Sequence, residues 1–509
     1  MELKKILIGV EGLKAKGGID LDIPKITCDS RAVEKGDMFV AIKGFESDGH
    51  KFVKQAIENG AKVILLNEEQ LKETLKITKE DSKEIIEKIN EITIIAAPDT
   101  RIALSKCACN FYDNPSRKFK LIGVTGTKGK TTTSFMIKKI LEEQGIKTGL
   151  IGTIATYIGD KKLEDSDRTT PDSLKLQGFF AKMADEKCQA VVMEVSSQSL
   201  KLHRVDGCDF DMGIFTNFSE DHISPKEHPD MEDYFNSKLK LFSMCKYGFV
   251  NADDINTLRV PDLAKDCNIK TYGIDNTCDL LAKDITITNS YVDFRIKLNG
   301  KNERIKTYIP GRFSVYNSLA AISVAEKMGC SVENIRKALE EVRVPGRSEL
   351  VDNKLGLTIM LDYAHSPESL QSILQAVKAY TRGRVISVFG CGGDRDHGKR
   401  PIMGEISGKI ANYTIITSDN PRTENPDEIV KEIEEGMKKT KAKYECIVNR
   451  TEAIRKAIDM AKKTDIIVLA GKGHETYQEI NHVKYPYDER TIIKELIDEK
   501  MSTQEGTQD

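Results

Sequence analysis

The 509-residue chain has no tryptophan, no CxxC pair, no internal repeat and no large surplus of charge of either sign. The missing tryptophan excludes nothing. The 11 cysteines are an odd number and scattered, Cys107 and Cys109 being the closest pair. That spacing excludes a zinc ribbon or a disulfide framework and fits free thiols in a reducing compartment. A net charge of -2 and a pI near 6.5 argue against a nucleic-acid binder, or a nucleic-acid motor, that works through a bulk basic surface. No run of about 18 apolar residues occurs, so no transmembrane span is expected. The apolar run in MELKKILIGVEG is too short and too interrupted for a signal peptide, and a cytoplasmic protein is expected.

What is present is a series of short apolar runs alternating with longer helical patterns: KLIGVTG, AVVMEVS, MGIFTN, TIMLDYAH, VISVFG, YTIITS and DIIVLAG. Continuous apolar runs of this length predict buried parallel strands, so the expected class is α/β. Two joints, near AAPDTRIAL and at RVPGRSE, divide the chain into 1–98, 99–346 and 347–509. In open α/β sheets ligands sit beyond the carboxyl ends of strands. Here those ends carry GTKGKTT, EVSSQ, NFSEDH, DYAHSP, GCGGDRDHGKRP, SDNPRTENP and GKGHE, rich in Gly, His and charge.

LIGVTGTKGKTTTSFMIKKILEEQG predicts a strand, a Gly-rich turn and a helix capped by Gly145. Gly126 and Gly129 let backbone N–H groups face a phosphate at the helix N-terminus. In this cradle of Gly126, Thr127, Lys128, Gly129, Lys130, Thr131 and Thr132, Lys130 reaches the β- and γ-phosphates and Thr131 suits Mg²⁺. The strict GxxxxGK[ST] pattern fails because position 124 is Val. No NKxD stretch for guanine occurs, which favours ATP. A second signal is Lys238 in HPDMEDYFNSKLKLFSM. It falls in the apolar stripe of a helix capped by Asp230 and marked by Met231, Tyr234, Phe235 and Phe242. Lysines on such faces ordinarily snorkel out to water. Glu194 and His222, each just past a strand, suit a metal, and a neutralised or modified lysine could join them.

Taken in order, DSR, GDMFVAIKGFESDG, VTGTKGKTTT, TTPDS, MEVSSQSL, HRV, TNFSEDH, YFNSK, DYAHSP, GCGGDRDHGKRP, DNPR and AGKGHE resemble the Mur ligases of peptidoglycan synthesis. Within them the resemblance is to the UDP-N-acetylmuramoyl-tripeptide synthetase branch of the diaminopimelate-adding type. It spans nearly the whole chain. It implies a UDP-sugar domain at 1–98, a central P-loop ATPase-like parallel sheet at 99–346 and a C-terminal Rossmann-like, amino-acid-binding domain at 347–509. The implied reaction is ATP-dependent addition of meso-diaminopimelate to the D-Glu γ-carboxylate of UDP-MurNAc-L-Ala-D-Glu through an acyl phosphate. A monomer is expected. By resemblance Lys238 is carbamylated and joins Thr131, Glu194 and His222 around Mg²⁺, while Asn317 and Arg347 lie on the ATP side. Ser30, Phe45, Glu46, Ser47, Thr169, Thr170, Ser196 and Arg204 would meet the UDP substrate. Lys128 stands where many relatives have Asn. Arg168 and Leu202 replace Asn and Gln of some relatives and put individual UDP-substrate contacts in doubt.

Members of the family differ in whether they take lysine or diaminopimelate. A guanidinium fork matches the carboxylate that only diaminopimelate carries at its far end. By resemblance Arg422 is that fork. Asp419, Asn420, Pro421, Gly471 and Glu475 complete the pocket, and Arg395 takes the carboxylate at the reacting end. Pro421 stiffens the turn, and Asn425 is expected to cap a helix with Pro426 at its first position and Glu428 three residues after the cap. The alternatives are a lysine-adding sibling, disfavoured by DNPR, and a folylpolyglutamate synthase, disfavoured by the DSR-bearing N-terminal part. A nucleotide-binding scaffold without catalysis predicts damage at Lys130, Glu194, His222 or Lys238, and all four are intact.

Overall fold

The computed structural model describes residues 1–45, 47–76, 82–221, 223–224 and 227–505. They form two compact units, Met1–Tyr272 with Asn276–Asp279, and Gly273–Asp275 with Leu280–Asp509. Glu46 and His222, both singled out from the sequence, lie outside the described residues.

The first unit holds two sheets. In the N-terminal one, Thr93–Ala97, Val63–Asn67, Met38–Val40 and Ile26–Thr27 run parallel, and Lys14–Lys16 adds antiparallel at the edge. Its inner strands are apolar without alternation because both faces are covered, one by the Leu3, Ile6 and Leu104 cluster and the other by Val53, Ile57 and Ile85. In the larger sheet, Cys245–Asn251, Phe210–Phe215, Lys120–Thr125, Ala190–Glu194 and Thr148–Ile151 lie side by side, all parallel. Ala155–Ile158 and Lys161–Asp165 extend it antiparallel. The register Val192↔Ile122↔Met212 brings the ends of three central strands to one edge, where their polar loops begin.

The second unit contains an antiparallel three-stranded sheet, Lys283–Ile287, Val292–Leu298 and Lys301–Thr307. Its middle strand alternates buried and outward residues, with Val292, Phe294, Ile296 and Leu298 inside. The main sheet of this unit runs Glu349–Leu350, Thr358–Asp362, Ile466–Ala470, Val385–Phe389, Tyr413–Ile416, Lys443–Cys446, parallel apart from the first. Apolar clusters on both faces, one around Phe389 and Ile433 and the other around Ile454 and Ile493, make it the doubly covered α/β layer that its sequence predicts.

A buried ion pair lies beneath the loops of this sheet. Arg450 Nε donates to Glu489 at 2.7 Å, both side chains being 1% exposed. The same guanidinium donates to Ser418 O at 3.3 Å and Ala470 O at 3.1 Å, tying together the ends of two strands. Glu489→Gln leaves a buried cation without its anion. The expected loss is about 3–5 kcal/mol in urea unfolding, with loosening of both loops above it.

Candidate active site

The phosphate loop is set by the strand that neighbours it. Thr216 Oγ1 donates to Lys128 O at 2.6 Å, Asn217 Oδ1 accepts from Lys128 N at 2.9 Å, and Thr127 N donates to Asn217 O at 2.9 Å. Gly126 has φ 140°, and a Cβ there would fall 2.0 Å from Thr216 Oγ1, so only glycine fits. The helix Lys130–Glu143 starts directly after Gly129 and points its first N–H groups along the loop. Lys130 Nζ folds back to Gly126 O at 2.9 Å and Thr127 O at 3.0 Å. Lys128 pairs with Asp221 at 3.1 Å.

Thr131 Oγ1 donates to Glu194 Oε2 at 3.0 Å, and Thr153 donates to the same carboxylate from Oγ1 and N, both at 2.9 Å. Glu194 and Thr131 are buried, so a carboxylate and a hydroxyl oxygen meet at the foot of the loop. All-oxygen donors of this kind fit Mg²⁺. Thr170 Oγ1 donates to Glu194 O at 2.9 Å and accepts from Ser196 N at 3.0 Å, and Thr169 Oγ1 lies 3.2 Å from Thr153 Oγ1. These expected substrate residues therefore also brace the Glu194 strand end.

Lys238 is on the helix Met231–Ser243, which Asp230 caps through Asp233 N at 2.8 Å. Tyr234, Phe235, Leu241 and Phe242 are buried with it, and Lys238 itself is 1% exposed. It does not snorkel. Its Nζ donates to Gly126 O at 3.0 Å and stands 4.4 Å from the Tyr234 ring centroid. Burial, and secondarily the Lys130 cation, hold its pKa well below the usual lysine value, with Asp221 opposing. The sequence did not single out His228, a fully buried ring between Asp233 Oδ2 (2.6 Å) and Ser197 Oγ (2.9 Å) that anchors the start of this helix.

The first unit also holds a cavity of about 550 Å³ whose walls include Cys28, Phe45, Arg101, Arg168, Leu202 and Arg204. Phe45 is 64% exposed, an aromatic face at the mouth. Arg204 donates to Thr170 O at 3.1 Å and Arg101 to Lys43 O at 2.7 Å, and burial lowers the pKa of both. Both positions that depart from the family pattern, Arg168 and Leu202, lie on this wall. Of the residues expected to meet the UDP substrate, Phe45 and Arg204 are on this wall, while Thr169, Thr170 and Ser196 are at the Glu194 strand end and Ser30 and Ser47 are elsewhere. Ser30 Oγ is turned inward to Gln55 Oε1 at 2.8 Å, and Ser47 lies exposed in the turn that Gly44 closes. Arg101, which patterning did not mark, supplies a guanidinium that the cavity shares with Arg204.

In the second unit, Asn317 is buried in the helix Arg312–Lys327. Arg347 stacks on Tyr363 at 5.1 Å, and its Nε is buried without a hydrogen bond among the described residues. The cluster expected to meet the incoming amino acid lies at the carboxyl ends of the main sheet. Asn420 Nδ2 donates to Glu475 Oε2 at 2.8 Å. Gly471 has φ 114°, and a Cβ there would come within 2.3 Å of Asp419 Oδ2. Glu475 is pushed above the usual carboxylate range by burial and by Asp419, against Lys472 and Asn420.

Arg422 is half-buried. Its Nη1 donates to Gly393 O at 2.6 Å and its Nε to Glu479 Oε2 at 3.3 Å. Its backbone is left-handed, φ 51°, and is bridged to Ile480 at the end of the strand Tyr477–Ile480, which forms a hairpin with Val483–Pro486. Arg395 is exposed on the facing loop, with Gly392 between the two guanidinium side chains. The two loops are zipped by Arg400, whose side chain is fully buried and grips Glu424 with two bonds of 2.8 Å and Glu432 at 2.9 Å. Asn425 caps the helix Pro426–Met437 as expected, by accepting from Asp427 N at 2.9 Å. Glu428 does not reach back to complete a capping box. It pairs with Lys431 at 2.6 Å, since a lysine three residues on is the nearer partner.

Fold and loop together define an α/β nucleotide-binding protein of P-loop type. Three family models match the chain: Mur ligase family, catalytic domain, at 22–112; Mur ligase middle domain at 124–325; and Mur ligase, glutamate ligase domain, at 346–473. A protein of Caldanaerobacter subterraneus named UDP-N-acetylmuramoyl-L-alanyl-D-glutamate--2,6-diaminopimelate ligase is 46% identical over 98% of this chain and 99% of its own length. One of two Clostridium acetobutylicum proteins of that name is 44% identical over 98% and 100%. A solved structure bearing the same ligase name superposes with a TM-score of 0.69 at 27% identity, covering 98% of this chain and 99% of that one. The chain belongs to the Mur ligase family.

Proposed function

We propose that the chain is the ATP-dependent ligase that adds meso-diaminopimelate to the D-Glu γ-carboxylate of UDP-MurNAc-L-Ala-D-Glu in peptidoglycan synthesis. One observation carries the reading: the Asn420, Arg422 and Glu475 cluster sits at a sheet's carboxyl edge, in a chain alike over 98% of its length to relatives named for this reaction. The γ-carboxylate oxygen attacks the γ-phosphorus of ATP, the bond to the β-phosphate oxygen breaks, and ADP leaves. The amine of the incoming amino acid then attacks the acyl carbon, phosphate departs, and the nitrogen gives up its extra proton.

Anions approach anions in the first step, so the site needs fixed positive charge. Lys130 and the N–H groups of the Gly126–Thr132 loop take the phosphates. Thr131 and Glu194 would hold Mg²⁺, with His222 and a carbamylated Lys238 on the acyl-phosphate side. When bound, the ion supplies charge neutralisation of the transferring phosphoryl group. Asn317 and Arg347 serve ATP. Arg204, Thr169, Thr170 and Ser196 serve the UDP substrate, with Phe45 as a face for its base. Arg395 takes the reacting-end carboxylate and Arg422 the distal one. The division at 98 and 346 remains our domain proposal; three family models follow one another in that order, the first running past the first joint to 112 and the third beginning at 346. Among the described residues no helix is long and apolar enough to cross a membrane. Its soluble substrates lead us to propose the cytoplasm as its location.

The test is phosphate release from ATP in the presence of the UDP-dipeptide, comparing meso-diaminopimelate, lysine and ornithine. Release that depends on diaminopimelate and is weak with the other two is expected. Release with lysine alone would assign the sibling specificity.

A further inference from the structure

Lys472 in AGKGHE is not among the residues given a role above, yet it is fully buried and central. Its Nζ donates to Asn420 Oδ1 at 3.0 Å, lies 3.4 Å from Glu475 Oε2 and 3.9 Å from Asp419 Oδ1, and stands about 6 Å from the rings of Tyr477 and Tyr487. A buried ammonium is retained only where anions and acceptors surround it. Here the anions are two of the residues proposed to meet the incoming amino acid.

We propose that Lys472 is a positioning residue of the amino-acid pocket. Its ammonium orients the Asn420 amide and holds Asp419 and Glu475 together as one net negative charge, matched to one substrate ammonium. The inference rests on the diaminopimelate-adding reading and deepens it.

The amide argument is geometric. Asn420 Oδ1 accepts from Lys472 Nζ and from Glu479 N, each at 3.0 Å, which turns Nδ2 toward Glu475 Oε2 at 2.8 Å. Without the ammonium one of the two donors that fix this orientation is gone. The charge argument follows from the same atoms: two neighbouring carboxylates repel, and burial together with Asp419 disfavours the charged form of Glu475. One lysine between them leaves a single surplus negative charge. Of the other charges nearby, Arg422 pairs with Glu479 and Arg450 with Glu489. The groups that bear on Glu475 from the surrounding elements are Asp419, Lys472, Tyr363 and Tyr477. Glu475 has a raised pKa, so it is ionised above that pKa and loses its charge as pH falls through it. Removing the Lys472 cation moves that loss to higher pH.

Lys472→Met in the full chain is expected to raise KM for meso-diaminopimelate about a hundredfold, with KM for ATP and for the UDP-dipeptide within about threefold of wild type. In a Glu475→Gln background the same change adds much less than it costs in the wild type, because much of what Lys472 does runs through that carboxylate. The acid limb of kcat/KM for diaminopimelate shifts to higher pH by about one unit or more. If Lys472→Met does not fold, Lys472→Gln, which keeps a donor for Asn420 and removes only the charge, is read by the same three measures. A KM for diaminopimelate within about threefold of wild type, or effects that simply add in the double variant, overturns the proposal. So does loss of the fold in both variants, which makes Lys472 a purely structural ion. A wild-type enzyme with no diaminopimelate-dependent phosphate release overturns the underlying reading instead.

Discussion

The Lys238→Ala variant loses ligation by about 10³-fold or more while binding ATP nearly as well as wild type. The reason lies in where the amine sits. It is sealed between Tyr234 and the Gly126 carbonyl, and burial reinforced by Lys130 keeps its pKa well below that of an ordinary lysine. A neutral amine is the form that adds CO2: the N–C bond forms, a proton leaves to water, and the group becomes a carbamate of charge -1. A neutral amine facing Lys130 would thereby become an anion suited to the oxygen-loving Mg²⁺. Lys238→Arg puts a fixed cation there and cannot form the carbamate, so it is expected to be as inactive as the alanine variant. Phosphate release in CO2-stripped buffer, with and without added bicarbonate, measures the dependence in wild type. A carbonyl signal from ¹³C-bicarbonate, present in wild type and absent in Lys238→Arg, reports the adduct itself. Substantial activity in Lys238→Arg would remove the carbamate from the mechanism.

Lys238 also shows what a sequence reveals and what it withholds. Its place in an apolar helical stripe was legible, because helical spacing alone puts it beside Tyr234, Phe235 and Phe242. The seven strands with polar loops at their ends were legible for the same reason: continuous apolar runs have no other use in a sheet covered on both faces. The Asn425 cap before Pro426 was a local signal and reads correctly. Lys472 was not legible. A lysine between two glycines reads as a solvated loop residue, and only Asn420, more than fifty positions earlier, makes it a buried one. Arg400 is similar, since its partners Glu424 and Glu432 are set by the packing of two helices. The left-handed backbone of Arg422 was hidden too. Pro421 restrains its own φ and the residue before it, not the residue after, whose φ 51° is imposed by pairing with a hairpin near residue 480.

That imposed backbone is why Arg422→Ala separates specificity from folding. Arg422 N donates to Glu479 O at 3.0 Å and Asn481 N donates to Arg422 O at 2.8 Å, bonds that any residue makes. The loop is held by Arg400 and Glu424 as well, so truncating the side chain leaves its path intact. The side-chain contacts that are lost are the ion pair with Glu479 at 3.3 Å, partly exposed on both sides and contributing about 1 kcal/mol or less, and the bond from Nη1 to Gly393 O at 2.6 Å, contributing about 1–2 kcal/mol. Thermal unfolding should therefore fall by a few degrees at most, and KM for ATP should barely move. The guanidinium fork is a different matter. The charge-assisted bonds we propose for it with the distal carboxylate would separate diaminopimelate from lysine. Their loss is expected to lower kcat/KM for diaminopimelate about 10³-fold and to shrink the preference over lysine by a similar factor. Arg422→Lys keeps the charge but not the planar pair of donors, and is expected to recover only part of the loss, about tenfold. The two variants are compared by phosphate release with each amino acid at saturating ATP. Unchanged kinetics with diaminopimelate in Arg422→Ala would show that the fork grips something other than that carboxylate. A loss shared equally by lysine and diaminopimelate would make Arg422 a general anchor of the pocket rather than its selector.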